Sequence, residues 1–417
     1  MIVATARPRC PTVFEADLPT VEYEQASDPY EAHRNIQKAL EQAPIAMGAH
    51  GPEVLSYEMV RTTLRDHRFC PPPGLGLEAQ SITSGPLWDR VVTSLLSING
   101  DEHTRLRRLV SKAFTPRAVG RLDATITAVI NELIDPLSTV GHCDVVDDIA
   151  RPYPVPIISA LLGAPRGDWR RFSAWADEFF KLFTFNAAEY AADVLMAWTE
   201  MDAYVDEMVD QRSNSLTDDL ISELIRAEHD GDRLSREELR MLAVGILMAG
   251  TDTTRNQLAA AVDLFCDHPD QWALLADRPE LAMNAVEEVM RFYPVIFGAM
   301  RYTTEDVELE GVVIPAGTFV MCSTAAANRD PSVFDEPDRF DITREGAAPM
   351  QTFGAGAHYC LGANLARREL AEALTVMARR MRNLRHAGPS VWKPLVGITG
   401  PASLPVAFDP SWHLGVW

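Results

Sequence analysis

The chain has 417 residues, with 59 acidic against 38 basic side chains and a formal net charge of -21. Hydrophobic residues at 47% and charged ones at 23% place its bulk among globular proteins and exclude disorder or fibrous structure. The acid excess argues against nucleic acid, which needs a basic footprint, and against an anionic membrane surface.

Residues 1–30 are expected to form an irregular arm, because Pro8, Pro11, Pro19 and Pro29 break any helix. A helical period over 30–42, a β-like stretch over 46–55 and a helix over 57–66 follow. From 69 to 100 the chain turns to Pro, Gly and Ser (PPPGLGLEAQSITSGP) yet keeps Leu75, Leu77, Ile82, Leu87 and Trp88. That is the texture of a long functional loop. Apolar periodicity predicts helices over 117–139, 145–162, 168–183, 187–226 and 235–267. After Pro294 short β-like pieces such as VELEGVVIPAGTFVMC alternate with loops to about 357, a long helix covers 361–382, and the tail reads as short strands. No repeat, low-complexity tract or Pro/Gly/Ser linker divides the chain, so the fold class expected is mainly α with a minor antiparallel β part, in one domain over 1–417. No run approaches the ~20 apolar residues of a membrane span, and the start MIVATARPRCPTVFEADLP lacks the apolar core of a signal peptide. Six cysteines, at 10, 70, 143, 266, 322 and 360, form no CxxC pair. The expectation is a cytoplasmic protein.

Residues 353–362 read FGAGAHYCLG. A dinucleotide fingerprint fails here, because Tyr359 stands where a third glycine is needed. A zinc site fails too, with only His358 and Cys360 close together. A nucleophilic cysteine with a distant histidine, and a buried inert cysteine, both stay open at this point. What sets the segment apart is that 361–366 opens a helix directly after Cys360, so a thiolate there gains from the helix dipole and exposed N–H groups. Gly354 and Gly356 let the backbone fold over the sulfur and are expected to donate N–H bonds to it. A thiolate held in this way under a flat apolar face is what haem iron requires as an axial ligand.

The decapeptide resembles the cysteine-loop signature of the cytochrome P450 superfamily, F-G-x-G-x-H-x-C-x-G, with every fixed position filled. Other segments support the resemblance in chain order. In the helix over 235–267, Ser235 and Glu238 form a capping box, and about 32 residues would span roughly 48 Å. Its segment AGTDTT, 249–254, is poor helix interior and is expected to open the helical ladder locally and hold water. The resemblance makes this the oxygen-binding groove, with Asp252 and Thr253 as the acid–alcohol pair that delivers protons. It also makes Cys360 the iron ligand and puts Ala249, Phe353, Gly354 and Gly362 against the haem. His103 and Arg107 (HxxxR), Arg301 and His358 match positions that contact the haem propionates. Glu288 and Arg291 (ExxR), with Arg339 in the EPDRF stretch, match a Glu-Arg-Arg triad with a structural role. The segment INGDEH departs from the proline-rich turn (D-P-P-x-H) of many soluble bacterial members.

The resemblance implies a haem-thiolate monooxygenase carrying haem b and using O2. With no room for a fused reductase, its electrons would come from NAD(P)H through a separate ferredoxin or flavodoxin and a reductase. Candidate docking cations are Arg105, Arg108, Lys112, Arg367 and Arg368. Substrate contacts, proposed from resemblance and apolar character, are the loop 75–87 with Leu87, then Met248, Ala249, Val295, Ile296, Phe297 and the stretch 396–398 with Ile398. They imply hydroxylation or epoxidation of a medium-sized hydrophobic molecule such as a terpenoid, steroid, fatty acid or polyketide, and the lack of a coiled-coil or swapped element points to a monomer. The alternatives are a haem-thiolate peroxygenase or coupling enzyme, against which the Asp252–Thr253 pair argues, and a haem ligand-binding protein without turnover. A haem-free cysteine hydrolase stands behind both.

Overall fold

The computed structural model describes residues 10–183, 186–229 and 234–410. Helix α1 (Pro29–Leu40) starts where the Asp28 carboxylate accepts the Glu31 N–H and Pro29 fills the first turn. Strands β1 (Ile45–Gly48) and β2 (Gly51–Val54) pair as a hairpin ahead of α2 (Tyr57–Thr63). The stretch expected as a loop from 69 to 100 contains β3 (Phe69–Cys70) and a two-turn helix, α3 (Pro86–Val92), in which Leu87 and Val91 are buried. The apolar residues that mark this loop in the sequence thus dock it on the body of the protein.

Then come α4 (Gly100–Ser111), α5 (Pro116–Val119), α6 (Asp123–Leu137), β4 (His142–Asp144), α7 (Pro154–Leu162) and α8 (Trp169–Phe179). The helix expected over 187–226 is two helices, α9 (Ala187–Ser213) and α10 (Leu220–His229). Polar side chains between them make the break. The Thr217 N–H donates to Ser222 Oγ at 2.9 Å and the Ser222 N–H to Asp219 Oδ1 at 2.8 Å, so local side chains cap a new start instead of extending the old helix.

Helix α11 (Arg236–Asp267) has 32 residues and begins with the expected capping box: Ser235 Oγ accepts the Glu238 N–H and Glu238 accepts the Ser235 N–H. Most of its side chains from Leu239 to Phe265 are buried. It is therefore the core helix, and α7, α8 and α9 pack along it. After α12 (Pro269–Asp277) and α13 (Ala282–Phe292) come β5 (Ala299–Thr303), β6 (Val307–Leu309), β7 (Val312–Ile314), β8 (Phe319–Cys322) and α14 (Thr324–Ala327). Helix α15 (Ala363–Arg380) and strands β9 (Arg382–His386), β10 (Val391–Trp392), β11 (Pro401–Ser403) and β12 (Pro405–Asp409) complete the chain, and α15 also packs on α11.

The largest sheet has the order β1-β2-β8-β5-β3. Its pairings are antiparallel except β2 with β8, which is parallel. A second sheet, β4-β12-β9, joins the tail to the helical part. The β6–β7 hairpin turns through Glu310 and Gly311, both at positive φ (45° and 81°), as a two-residue turn requires. The N-terminal arm is irregular as expected, but it is fastened. Thr12 bridges to Val313 and Thr20 to Met47, and Val13, Val21 and Tyr23 are buried. Residues 1–9 of the arm lie outside the described residues. No helix among the described residues is long and apolar enough to cross a membrane, and all six cysteines are free.

Candidate functional site

Cys360 stands three residues before α15. Its N–H donates to Phe353 O at 2.9 Å, which closes the loop on itself. Gly354 and Gly356, at φ 69° and 70°, make the turns. The expected donors to sulfur are not these glycines: the Gly354 N–H goes to Gln351 O at 2.8 Å, and the backbone hydrogen bond on the sulfur comes from Gly362. The reason is position, since Gly362 caps α15, where N–H groups have no acceptor within the helix. Burial pushes the Cys360 thiol up, opposed by that N–H and then by the Arg107 and Arg367 guanidinium groups. Gly356 also leaves no room for a side chain, because a Cβ there would lie 2.5 Å from Leu64 O. Gly356→Ala is therefore expected to cost about 2–4 kcal/mol, combining backbone strain with overpacking, seen as a lowered urea midpoint.

A basic cluster surrounds this loop. Helix α4 carries His103 and Arg107 on one face, and Arg107 Nη2 donates to Tyr359 O. The His103 and His358 rings lie 4.0 Å apart, and His358 Nε2 hydrogen-bonds with Asn99 Oδ1 at 3.0 Å. Arg301 on β5 is buried and donates to Met300 O at 2.8 Å. Burial, then His103, Arg301 and Arg107, holds the His358 imidazole down to about 3; burial and Arg107 also lower His103. The two arginines thus reach backbone carbonyls, not carboxylates, and His103 Nε2 is buried without a hydrogen-bond partner. Positive charge gathered without a counter-charge, and an orphaned ring nitrogen, are both costly unless something satisfies them. A flat cofactor with two carboxylates against the cluster, and a metal that takes the Cys360 sulfur, does so. The residues present fit haem.

The central helix carries the remaining residues expected at the site. Gly245 and Ala249 keep accessible surface and Thr253 is half-buried, while Met248, Thr251, Asp252 and Thr254 are buried. Spacing of four puts the accessible three on one face, a strip of small residues. The expected opening at 249–254 is absent, for α11 is continuous. Thr251 Oγ1 donates to Leu247 O at 2.7 Å and Thr253 Oγ1 to Ala249 O at 2.9 Å, so each hydroxyl adds a bond to a carbonyl four residues back without displacing the ladder. Asp252 is ion-paired with Arg255 one turn on. That Asp-x-x-Arg spacing is as readable as the ExxR, and the sequence reading passed over it.

Glu288 and Arg291 are both buried and bonded through two contacts, 2.7 and 2.8 Å. The third member of the triad is Arg344, whose Nε lies 3.2 Å from Glu288 Oε2. Arg339, assigned that place from the sequence, has a side chain 59% exposed that pairs with Glu336 and Asp341. Acids within its own loop hold it outward, and it gives only its carbonyl to Arg291 and Arg344.

The substrate positions separate in the same way. Ala249, Ile296 and Ile398 keep accessible surface, whereas Leu87, Met248, Val295 and Phe297 are covered by protein atoms. Phe297 points to a different core, its ring 5.6 Å from Tyr23 and 5.3 Å from His33. The Thr399 N–H donates to Val295 O at 2.9 Å, which sets 396–398 beside 295–297. Phe353 is buried under the Arg367 guanidinium, 4.4 Å from its ring centre. Of the docking cations, Arg105 pairs with Glu238, Arg367 with Glu287 and Arg368 with Asp123, so much of the counted charge is already neutralised.

A family model described as cytochrome P450 matches residues 92–385. The chain belongs to the cytochrome P450 family. Mycinamicin IV hydroxylase/epoxidase of Micromonospora griseorubida is 40% identical to this P450 over 364 residues, 85% of this chain and 89% of the relative. Luteothin monooxygenase of Streptomyces thioluteus is 36% identical over 398 residues, 95% of this chain and 97% of the relative. Among solved structures, that of CalO2 superposes with a TM-score of 0.88 at 32% identity, covering 94% of this P450 and 100% of that chain. This P450 is accordingly a monooxygenase of a haem-thiolate family.

Proposed function

We propose that this P450, acting over 1–417 as one haem domain, would hold haem b through the Cys360 thiolate, with His103, Arg107, Arg301 and His358 available to its propionates. Phe353, Gly354, Gly362 and Ala249 would line its pocket. The observation that carries this reading is the convergence of four basic side chains that have no carboxylate partner among the described residues, one with an orphaned nitrogen, beside a cysteine that receives the Gly362 N–H. The reaction is insertion of one oxygen atom from O2 into a medium-sized hydrophobic molecule, with electrons from NAD(P)H passed by a separate ferredoxin or flavodoxin and its reductase. Two relatives are named for oxidising mycinamicin IV and luteothin, and a natural product of that kind is the substrate we propose, contacted by Ala249, Ile296 and Ile398.

When bound, the haem supplies dioxygen binding and reductive cleavage of the O–O bond. The chain supplies position, protons and dryness. Thr253 directs its hydroxyl hydrogen to Ala249 O and so leaves its oxygen lone pairs free to accept. Asp252 is the acid that passes a proton to Thr253 Oγ1 and recovers one from water. The apolar strip around Ala249 limits the water that would otherwise divert the reaction.

The test is the carbon monoxide difference spectrum of the dithionite-reduced protein, wild type beside Cys360→Ala. The expected result is the long-wavelength Soret band of a thiolate ligand in wild type and its loss in the variant. A variant that keeps that band would remove Cys360 from the site.

A further inference from the structure

Two neighbouring amides on the core helix hold the segments that carry Ile296 and Ile398. Gln257 is buried, and both ends of its side chain go to the backbone just before Ile296. Its Nε2 donates to Tyr293 O at 3.0 Å, and its Oε1 accepts the Val295 N–H at 3.4 Å. Asn256, also buried, serves the other segment. Its Oδ1 accepts from Lys393 Nζ at 2.8 Å, while its Nδ2 donates to Asp252 O at 2.8 Å within α11. Lys393 opens a turn that closes on itself, since its N–H donates to Gly400 O at 3.0 Å and its carbonyl accepts from Thr399 Oγ1 at 3.3 Å. Ile398 lies within that turn. The neck also presses on the helix directly, for a Cβ on Gly400 would stand 2.8 Å from the Asn256 side chain.

Buried backbone groups need partners wherever they occur, so the bonds alone show only that these groups are satisfied. Their common origin is what carries further. Asn256 and Gln257 come seven and eight residues after Ala249 on one unbroken helix, roughly 10–12 Å along it. Seven residues make two turns, so Asn256 lies on the face that carries Gly245, Ala249 and Thr253. All three accessible substrate contacts are thus referred to the same rod. Ala249 is part of it, Ile296 follows the segment held by Gln257, and Ile398 sits in the turn held through Asn256. The Thr399 N–H bond to Val295 O joins the two segments. They differ in what else holds them. Ile296 is bracketed from its far side, because Thr324 Oγ1 lies 3.3 Å from Ile296 O and 3.2 Å from Phe297 O. Among the described residues, Lys393 makes the only side-chain hydrogen bond from the turn 393–400 to α11.

We infer that Lys393 and Gln257 are positioning residues that fix the length of the substrate pocket. Through the core helix they set how far Ile398 and Ile296 stand from Ala249, so the reach of the pocket depends on two polar tethers as well as on its apolar lining. The inference rests on the substrate contacts proposed above.

The test uses the haem-loaded protein and 1-alkylimidazoles from methyl to dodecyl, whose ring nitrogen shifts the Soret band on taking the haem iron. Dissociation constants are read from that shift for wild type, Lys393→Met, Lys393→Arg, Gln257→Met, Ile296→Ala and Ile398→Ala. In wild type each added methylene should tighten binding about 4-fold until the chain meets the wall, where the gain stops. Lys393→Met is expected to bind 1-methylimidazole within about 2-fold of wild type, yet to move the stopping length by about two methylenes and change affinity there on the order of 10-fold. Gln257→Met should act in the same way but less, since Thr324 still holds Ile296. Lys393→Arg should restore the wild-type profile. A role confined to stability would lower the urea midpoint and leave the length profile in place.

A wild-type profile in Lys393→Met overturns the inference. If Lys393→Met fails to give the haem-thiolate carbon monoxide band, Gln257→Met decides by the same criterion, and loss of the band in both overturns it as well. Should Ile296→Ala and Ile398→Ala both keep the wild-type profile, the contact reading falls and the inference with it. Should they move the profile while Lys393→Met does not, the positioning role fails alone. A wild type without any Soret shift would remove the haem reading and everything that rests on it. Oxygen chemistry does not enter the measurement, so the outcome is independent of the relay proposed for Asp252 and Thr253.

Discussion

Glu288→Ala is expected to lower the stability of this P450 by about 3–5 kcal/mol, the scale for removing one partner of a buried ion pair. Arg291 would be left 3% exposed with no carboxylate, and Arg344 would lose the same partner. The measurement is the urea midpoint with circular dichroism as probe, and haem retention after gel filtration reports the effect on the site. Arg344→Ala should do appreciable damage through the same carboxylate. Arg339→Ala should stay within about 0.5 kcal/mol of wild type, since its side chain is a surface one. Equal damage from Arg339→Ala and none from Arg344→Ala would return the third place of the triad to Arg339.

Thr253→Ala is expected to separate electron consumption from useful oxidation. Among the described residues its hydroxyl bonds only to Ala249 O, a carbonyl within a continuous helix, so its removal leaves the fold intact. What goes, in the proposed relay, is the oxygen atom that would take a proton from Asp252 and hand one on. Proton transfer by a positioned group is worth about 10²–10⁴-fold, and protonation at the wrong stage releases hydrogen peroxide. Peroxide released per NADPH oxidised, measured with a plant-type ferredoxin and its NADPH-dependent reductase, should rise about 10-fold or more, with Thr253→Ser close to wild type. Fully coupled turnover in Thr253→Ala would end the relay assignment.

The parts of this molecule that were legible in advance are those whose causes are local. Ser235 and Glu238 start α11 through two hydrogen bonds three residues apart, and the cysteine loop packs its determinants into ten residues. His103 and Arg107 share a face because helix spacing puts them there. The misreadings come from partners that sequence distance hides. Arg344 and Arg339 lie in one loop and differ only in which acid each can reach, Glu288 for one and Glu336 with Asp341 for the other. Phe297 reads as a site residue until Tyr23 and His33, from the opposite end of the chain, are seen to enclose it. The threonines of α11 look like a break because they are weak helix formers alone, yet back-bonding to buried carbonyls lets them stay helical. At the other extreme, the split between α9 and α10 was written in its own Ser, Thr and Asp side chains, which favour caps over helix interior.

The strand pairings carry a consequence for how the chain matures as it leaves the ribosome. Val54 waits for Cys322, Phe69 for Thr303, Cys143 for Val406, and the arm at Thr12 for Val313. Helices α8, α9 and α10, by contrast, pack on their immediate successors and can gather as soon as they emerge. Synthesis therefore produces a helical body and the β1–β2 hairpin early, and leaves the outer edge of β2, β3 and β4 without their partners until the later strands have been made. Cys360, the proposed ligand, is translated late as well, so haem would meet it only when the β layer is closing around the arm. Closure of that layer, not the helices, is therefore expected to limit the yield of haem-loaded protein during overexpression, and lower temperature with ample haem precursor should raise it.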